Sequence, residues 1–483
     1  MAGVKKPVGK KTSAVKKILP AKKTSALSTI KKTTKKNTIS KKTTTMATKP
    51  IVFDSKGKKL VIVESPGKVK TISKYLGTDY IIKASVGHIV DLVDKNMSKL
   101  VEKGFEPDYE VDPAKKKVVS ELKSLAKSSS QVILATDEDR EGEAIAYHLT
   151  QALGIDPKTT PRIVFNEITK PALLDAMQRP RKLDMNLISA QKSRAVLDKL
   201  VGFSISPILW QKIKMGLSAG RVQSVAVKLV VEKEREIENF VPVEYRVIKA
   251  ILDTNKGPVE ILLKKLDGVK DIEEIDELDM EVVKKTEKES GGRFSKSALE
   301  TVLNQLHIKK AKSSIDDKTG YESLRDTTGI NFQLVDVVTK QSKKSPSAPF
   351  ITSTLQQTAS RIFGWPVKQV MSAAQKLYEA GLITYMRTDS TSLSGQAIAQ
   401  CKEYILGAFG EKYSTVRQYK SKSKNAQEAH EAIRPTSISN EPDQLKLGQY
   451  EQRLYSLIWK RTLASQMSDA IFTNTSYIFH PVI

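Results

Sequence analysis

From residue 58 to about residue 180, short apolar runs alternate with stretches of helical periodicity. Leu60-Val61-Ile62-Val63 is a continuous apolar run of the kind presented by a strand covered on both faces. Glu64-Ser65-Pro66-Gly67-Lys68 follows, where Ser65 suits a helix cap and Pro66 the first turn, so a helix is expected from Val69 to Leu76. Tyr80 to Val86 is a second extended run leading into Gly87-His88, and Pro113 to Lys127 reads as a surface helix. Val132-Ile133-Leu134-Ala135 then ends in Thr136-Asp137-Glu138-Asp139-Arg140-Glu141-Gly142-Glu143 before the helical Ala144 to Leu149. Another strand at Arg162 to Phe165 and a helix at Ala172 to Gln178 complete the pattern. Strand and helix in alternation predict an α/β domain with a mainly parallel sheet. In such a sheet Glu64 and Asp137 both stand at carboxyl ends of strands, where ligands collect.

Beyond Leu183 the periodicity becomes helical, over Ala190 to Leu200, Ser206 to Lys212, and from Ser218-Ala219-Gly220-Arg221-Val222-Gln223-Ser224 towards Phe240. Tyr245 to Lys264 alternates as strands do, Asp271 to Glu281 is an acidic patch expected to be a solvated face or loop, and residues 285–345 are polar and poorly periodic, with Ser290-Gly291-Gly292 and Lys343-Lys344-Ser345-Pro346 marking loops or linkers. Helices return from Pro349 to Phe363 and from Val367 to Ala380, the second closed by Gly381. Leu382 to Ser390 reads as a strand whose period of two puts Tyr385 and Arg387 on one face, with Thr384 and Met386 on the other.

Composition adds a partner class. The 483 residues carry a net charge of +26 with 39% hydrophobic residues, enough apolar content for several folded domains and a charge that suits a polyanion, most simply nucleic acid. Residues 1–57 are a Lys/Thr-rich tail expected to be disordered; taking away the 15 lysines of residues 1–50, which hold no acidic residue, still leaves about +11. No run has the length of a membrane span and no secretory signal opens the chain, so a soluble protein is expected. Cys401 is the sole cysteine, which excludes internal disulfides and points to a reducing compartment.

Candidate chemistry follows from two stretches. Asp137 and Asp139 at a strand end suit a hard cation meeting a phosphate, although acidic residues also favour the first turn of any helix. A phenol beside a guanidinium suits attack on a phosphodiester, with Tyr385 as nucleophile and Arg387 holding the phosphate; a half-buried structural tyrosine is the plainer reading. Small residues beside Arg221 and Gln223 would admit a nucleic-acid backbone to the helix amides, or merely cap a helix. A nucleotide-binding P-loop is ruled out at Gly67-Lys68, because Val69 follows the lysine and the required glycine is missing.

Taken in order, Glu64-Ser65-Pro66-x-Lys68, Asp137-x-Asp139-Arg140-Glu141-Gly142-Glu143, Phe165-Asn166-Glu167-Ile168-Thr169, Ser218 to Ser224 and Gly381-Leu382-Ile383-Thr384-Tyr385-Met386-Arg387-Thr388-Asp389 resemble the motifs of a type IA DNA topoisomerase, most closely the bacterial DNA topoisomerase I kind. The resemblance runs from about Lys58 to the end and implies a multidomain fold, α/β plus mainly α. Its parts would be a Toprim domain over 58–182, a helical DNA-binding domain over 183–240, a strand-containing arch over 241–344, a catalytic-tyrosine domain over 345–470, and the start of a return to the arch over 471–483. It implies attack by Tyr385 on one DNA strand to give a 5′-phosphotyrosine, passage of the other strand and religation, relaxing negatively supercoiled DNA without ATP. Catalytic roles would fall to Tyr385, Arg387, Glu64 and Lys68. Mg²⁺ would be held by Glu64, Asp137, Asp139 and Glu141. DNA contacts would come from His88, Arg194, Lys199, Gln211, Ser218, Ala219, Gly220, Arg221, Val222, Gln223, Arg387 and His430.

A monomeric, cytoplasmic, nucleoid-associated enzyme is expected on this resemblance. Family members continue well past the point matching Ile483, so the chain corresponds to a truncated version, and zinc-ribbon repeats are missing from it. Three other readings share parts of the pattern: a topoisomerase III-like decatenase, a Toprim nuclease or primase working without a tyrosine, and a non-catalytic histone-like DNA-binding protein. The Lys-rich tail has no counterpart in the resemblance.

Overall fold

The structure, a computed structural model, describes residues 57–93, 97–242, 246–264, 293–294, 296–308, 312–315, 322–325, 329–419 and 431–482. The Lys-rich tail, the acidic patch Asp271 to Glu281 and His430 lie outside the described residues.

Three parallel strands organise the first domain: β1 (Lys59–Val63), β2 (Tyr80–Ala84) and, after two short strands, β5 (Gln131–Leu134), in the order β2-β1-β5. The short strands β3 (Val90–Leu92) and β4 (Tyr109–Val111) pair antiparallel with each other. As the alternation predicted, helices α1 (Pro66–Leu76), α3 (Lys116–Ser128), α4 (Arg140–Leu153) and α5 (Lys170–Gln178) surround the sheet, with α2 (Met97–Glu102) on the way. Ser65 caps α1 by accepting from the Lys68 amide, with Pro66 at its first position. The fourth expected strand is rudimentary. Arg162 makes a single parallel bridge to Leu134, and the Ile163 amide donates to the Leu134 carbonyl at 2.9 Å before the chain turns away.

Side-chain alternation along β1 divides the core. Leu60 and Ile62 pack with Ile89, Leu122, Ile145 and Leu149 on one side of the sheet. Val61 and Val63 point the other way, into a second cluster shared with Phe350, Leu377, Tyr378, Tyr385, Tyr455 and Trp459. These residues belong to a helical region of α9 (Thr352–Phe363), α10 (Val367–Glu379), α11 (Gly395–Ala408) and α12 (Gln449–Ser465). One face of the α/β sheet is therefore covered by the region that carries Tyr385, and this brings the two candidate stretches together.

Helix α6 (Met185–Lys212) runs unbroken through both helical stretches read from the sequence and contains Pro207. Helix α7 (Arg221–Glu238) follows it. The alternation at Tyr245 to Lys264 forms β6 (Arg246–Val247), β7 (Lys249–Thr254) and β8 (Gly257–Leu262), of which β7 and β8 are a hairpin pair.

Two expectations are overturned. Lys343 and Lys344, read as part of a loop, end the 14-residue strand β12 (Asn331–Lys344), while Ser290-Gly291-Gly292 lie outside the described residues; β9 (Arg293–Phe294), α8 (Lys296–Gln305), β10 (Lys312–Ile315) and β11 (Glu322–Arg325) precede it. Strand β12 pairs antiparallel with β13 (Ala470–Val482) along its length, with a bulge between Leu334 and Asp336. Both faces of this ribbon are largely exposed, so no buried period was imprinted on its sequence.

Nor is Leu382 to Ser390 a strand. It is an irregular loop with one bridge, Ile383 to Pro435, because its backbone groups pair with separated partners. The Thr384 amide donates to the Arg434 carbonyl at 2.9 Å, and the Tyr385 amide to the Asn166 carbonyl at 2.7 Å. Gly381 starts the loop as expected. With φ +75°, it and Leu382 donate to the Tyr378 and Leu377 carbonyls, which closes α10 in a Schellman pattern.

Candidate active site

Glu64 emerges directly from the buried end of β1, and Asp137 follows the neighbouring β5, so the parallel pairing alone sets the two carboxylates side by side. The Asp137 amide donates to Glu64 Oε2 at 2.9 Å. Lys68, one turn into α1 and fully buried, donates its ammonium to Glu64 Oε1 and to Asp137 Oδ1. Burial would push the lysine pKa down, yet the two carboxylates outweigh it and hold the pKa above the usual value. Burial likewise acts to raise Asp137, but Lys68 overcomes it and keeps that carboxyl below its ordinary range. Glu64 goes the other way: burial first, with the charge of Asp137 adding to it, pushes its carboxyl up to about 8.

Asp139 caps α4, its carboxylate accepting the Gly142 amide at 2.7 Å. The plain helix-capping reading of the acidic turn is thus correct for this residue, and it does not exclude the other. Tyr385, only 2% exposed, donates its hydroxyl to Asp139 Oδ2, and Arg387 Nη1 lies 3.6 Å from the same oxygen. Burial, then Asp137 and Asp139, raise the phenol pKa, and Arg387 opposes them. The tyrosine is therefore held as a neutral hydrogen-bond donor to Asp139.

Gly142 is required where it stands, since a Cβ there would overlap the Asp137 carbonyl. Arg162, wholly buried, fixes the turn from beneath: Nη2 donates to the Asp137 carbonyl at 2.7 Å, Nη1 to the Thr136 carbonyl at 2.8 Å, and Nε to Glu143 Oε2 at 3.0 Å. Glu143 also binds Arg181 Nη2 at 2.9 Å, so this last acid of the motif is structural.

The four carboxylates expected around a metal are not gathered around one point, and no metal-binding group of three acidic, His or Cys side chains occurs among the described residues. Lys68 spans Glu64 and Asp137, while Asp139 is turned to Gly142 and Tyr385. Glu141 is paired with His88 Nε2 at 3.2 Å and Arg194 Nη1 at 3.6 Å. The hydrogen bond from His88 is the main cause of a lowered Glu141 pKa. The donors at the sheet edge are nevertheless all carboxylate oxygens, the set that suits Mg²⁺, which uses one or two carboxylates plus substrate phosphate rather than a protein cage.

The remaining residues named from the sequence lie on or beside α6. Lys199 donates to the Leu92 carbonyl at 3.1 Å, and Gln211 is exposed. The Ala219 amide donates to Ser206 Oγ at 3.0 Å, and Arg221 Nε to Asp198 Oδ1 at 2.8 Å, which fastens the Ser218 to Gln223 segment to α6. Gly220 caps α7, Gln223 returns to the Ser218 carbonyl at 2.7 Å, and Val222 is exposed.

Three features were missed. Tyr378 is fully buried, donates to Asp137 Oδ1 at 2.9 Å and packs edge-on against the Tyr385 ring at 5.3 Å. Its place in the apolar period of α10 gave no sign of a polar task. Arg434 sits buried behind the tyrosine loop. An open cleft of about 310 Å³ is lined by Arg140, Thr352, Ser353, Arg387 and Asp389 among others, so two guanidinium groups, one carboxylate and a helix start face one groove.

The chain matches the Toprim domain family over residues 59–168 and the DNA topoisomerase family over residues 182–481. It is 44% identical over 460 residues to DNA topoisomerase 1 of Pseudomonas aeruginosa, covering 87% of this chain and 48% of that protein. DNA topoisomerase 1 of Haemophilus influenzae is 43% identical over 456 residues, with the same shares of 87% and 48%. The chain thus spans about half the length of the curated relatives it matches. Among solved structures, full-length topoisomerase I from Thermotoga maritima superposes with a TM-score of 0.66 at 35% identity, over 87% of this chain and 63% of that one. With a Toprim sheet edge facing a buried tyrosine and these matches along most of its length, the chain belongs to the DNA topoisomerase family, in its type IA, bacterial topoisomerase I-like branch.

Proposed function

We propose that this chain carries the strand-cleaving and religating centre of a type IA DNA topoisomerase. The observation that carries the reading is the hydrogen bond from the Tyr385 hydroxyl to Asp139, with Arg387 beside the same carboxylate and the Glu64-Lys68-Asp137 cluster at the adjoining strand end. In this reading a DNA strand lies along the cleft of Arg140 and Arg387, where guanidinium groups hold backbone phosphates without reading sequence. The Tyr385 oxygen attacks phosphorus, its proton leaving towards Asp139, and the bond to the 3′ oxygen breaks. That oxygen takes a proton from the Glu64-Lys68 pair, and the reverse sequence reseals the strand. Bond energy is conserved in the 5′-phosphotyrosine, so no ATP is needed.

Mg²⁺ is the cofactor we assign, with Asp137, Asp139 and Glu64 as the residues that would hold it and Glu141 outermost. When bound it offsets the negative charge of the phosphate against this acidic edge. Lys68 keeps two of the acids neutralised and apart from the phenol, and Tyr378 holds the Asp137 carboxylate in place. We assign DNA contacts to His88, Arg194, Lys199, Gln211, the Ser218 to Gln223 segment and His430, and divide the chain at residues 58, 183, 241, 345 and 471. The whole enzyme would act as a monomer on single-stranded regions of negatively supercoiled DNA at the nucleoid in the cytoplasm. No described helix is long and apolar enough to cross a membrane.

The test is to incubate the chain with Mg²⁺ and a labelled single-stranded oligonucleotide, then look for a denaturant-resistant adduct. The reading expects an adduct that Tyr385→Phe abolishes. Cutting that survives Tyr385→Phe would mean a Toprim nuclease instead.

A further inference from the structure

One buried polar cluster takes no part in the chemistry above. Arg434 is 7% exposed and is held in its own loop by Glu431, Nη2 lying 2.5 Å from Oε2 and Nε 3.2 Å from it. The same Nη2 lies 2.9 Å from Oε2 of Glu167, which belongs to the sheet-bearing half. The other Glu167 oxygen accepts from the Thr169 hydroxyl at 3.0 Å, and Thr169 caps α5, so the carboxylate is oriented independently of Arg434. The residues on either side also reach across. The Asn166 carbonyl accepts the Tyr385 amide at 2.7 Å, its side-chain amide donates to Glu431 Oε2 at 3.2 Å, and the Ile168 carbonyl lies so close to Gly381 that a Cβ there would overlap it.

We propose that Asn166-Glu167-Ile168 is a releasable clasp that seats the Tyr385 loop on the sheet edge, with Glu167 as its positioning residue. This rests on the topoisomerase reading, in which the tyrosine side and the sheet side must part to pass a strand and then return in register. Breaking a buried ion pair is costly when it leaves a buried charge without a partner. Here Arg434 keeps Glu431 when Glu167 withdraws, and Glu167, on the surface so uncovered, meets water. The tyrosine side is also laced independently of the clasp, since Thr384 and Arg434 exchange hydrogen bonds through the Thr384 amide, the Thr384 hydroxyl and the Arg434 amide and carbonyl. The loop therefore keeps its shape while its seat is released.

The test is hydrogen exchange on the full chain, wild type against Glu167→Ala, Glu167→Asp and Asn166→Ala, alongside thermal unfolding. Glu167→Ala should speed exchange of the amides at 383–388 about threefold to tenfold with an unchanged unfolding midpoint; Glu167→Asp should restore part of the protection, and Asn166→Ala should act in the same direction but less. In the same preparations, resealing of the oligonucleotide adduct should slow by a similar factor in Glu167→Ala. Unchanged exchange at 383–388, or a general rise with a lowered midpoint or loss of folding, would overturn the clasp and leave Glu167 a structural residue. Should the wild-type chain form no adduct, the functional reading fails, while the exchange data still decide the clasp.

Discussion

The junction between the sheet and the tyrosine-bearing helices differs sharply from helix α7 and the β12–β13 ribbon. At the junction Val61, Val63 and Phe165 share one core with Leu377, Tyr378 and Tyr385, and hydrogen bonds cross it at Asp137, Asp139, Asn166 and Thr71. Helix α7 buries none of its residues, and Val225, Val227, Leu229 and Val230 are all exposed, as are Ile471, Phe472 and Tyr477 on the ribbon. Positional precision is thus concentrated where the phenol meets the carboxylates. The outer elements keep their shape through local hydrogen bonds, and their apolar side chains contribute little to the stability of this chain.

That contrast can be attacked at several points. Replacing Tyr385 by Phe should have the largest effect: adduct formation should fall at least about a thousandfold, since the nucleophile is gone while the ring stays packed. Residual adduct in a gel assay would locate the chemistry elsewhere. Arg162→Ala would leave the buried Glu143 with Arg181 and the Asp184 amide but without its buried guanidinium partner, and would free the Asp137 and Thr136 carbonyls, so chemical denaturation should show a loss of about 3–5 kcal/mol. Leu377→Ala, in the shared core, should cost about 2–5 kcal/mol.

Acid provides a further probe on the opposite face of the sheet. His148 is 4% exposed, neither ring nitrogen has a hydrogen-bond partner, and burial pushes its pKa down to about 4. Above pH 6.5 the residue is neutral folded and unfolded, so it contributes no pH dependence there. As pH falls from 6.5 to 4 the unfolded chain binds a proton that the folded one refuses, and about 3 kcal/mol of stability should be lost. Denaturation midpoints across that range should fall less steeply in His148→Phe. The smallest effect is expected at α7, where Val227→Ala should change stability by no more than about 0.5 kcal/mol. A loss there equal to that of Leu377→Ala would erase the distinction between the two regions.

Much of the site was legible because local rules and catalytic placement coincide. A four-residue apolar run, a capping Ser65 and a Pro66 suffice to place Glu64 and Lys68, and parallel pairing then delivers Asp137. What stayed hidden depended on contacts distant in sequence. The Tyr385 loop passes for a strand because Ile383 to Met386 are buried in succession, as in a strand covered on both faces, yet its amide partners lie at Asn166 and Arg434, which no local period reveals. Tyr378 looks like a core residue because its ring is one, and only the neighbouring sheet gives its hydroxyl a partner. Glu141 pairs with His88 and Arg194, partners far from it in sequence that no local pattern announces. Strand β12 went unread because a ribbon wet on both faces has no reason to alternate.

The most direct measurement is to trap the adduct with a single-stranded oligonucleotide, digest both components and map the modified peptide by mass spectrometry. A nucleotide joined through its 5′ phosphate to Tyr385 is the predicted result. A nucleotide on any other residue, or one joined through its 3′ phosphate, would contradict the account.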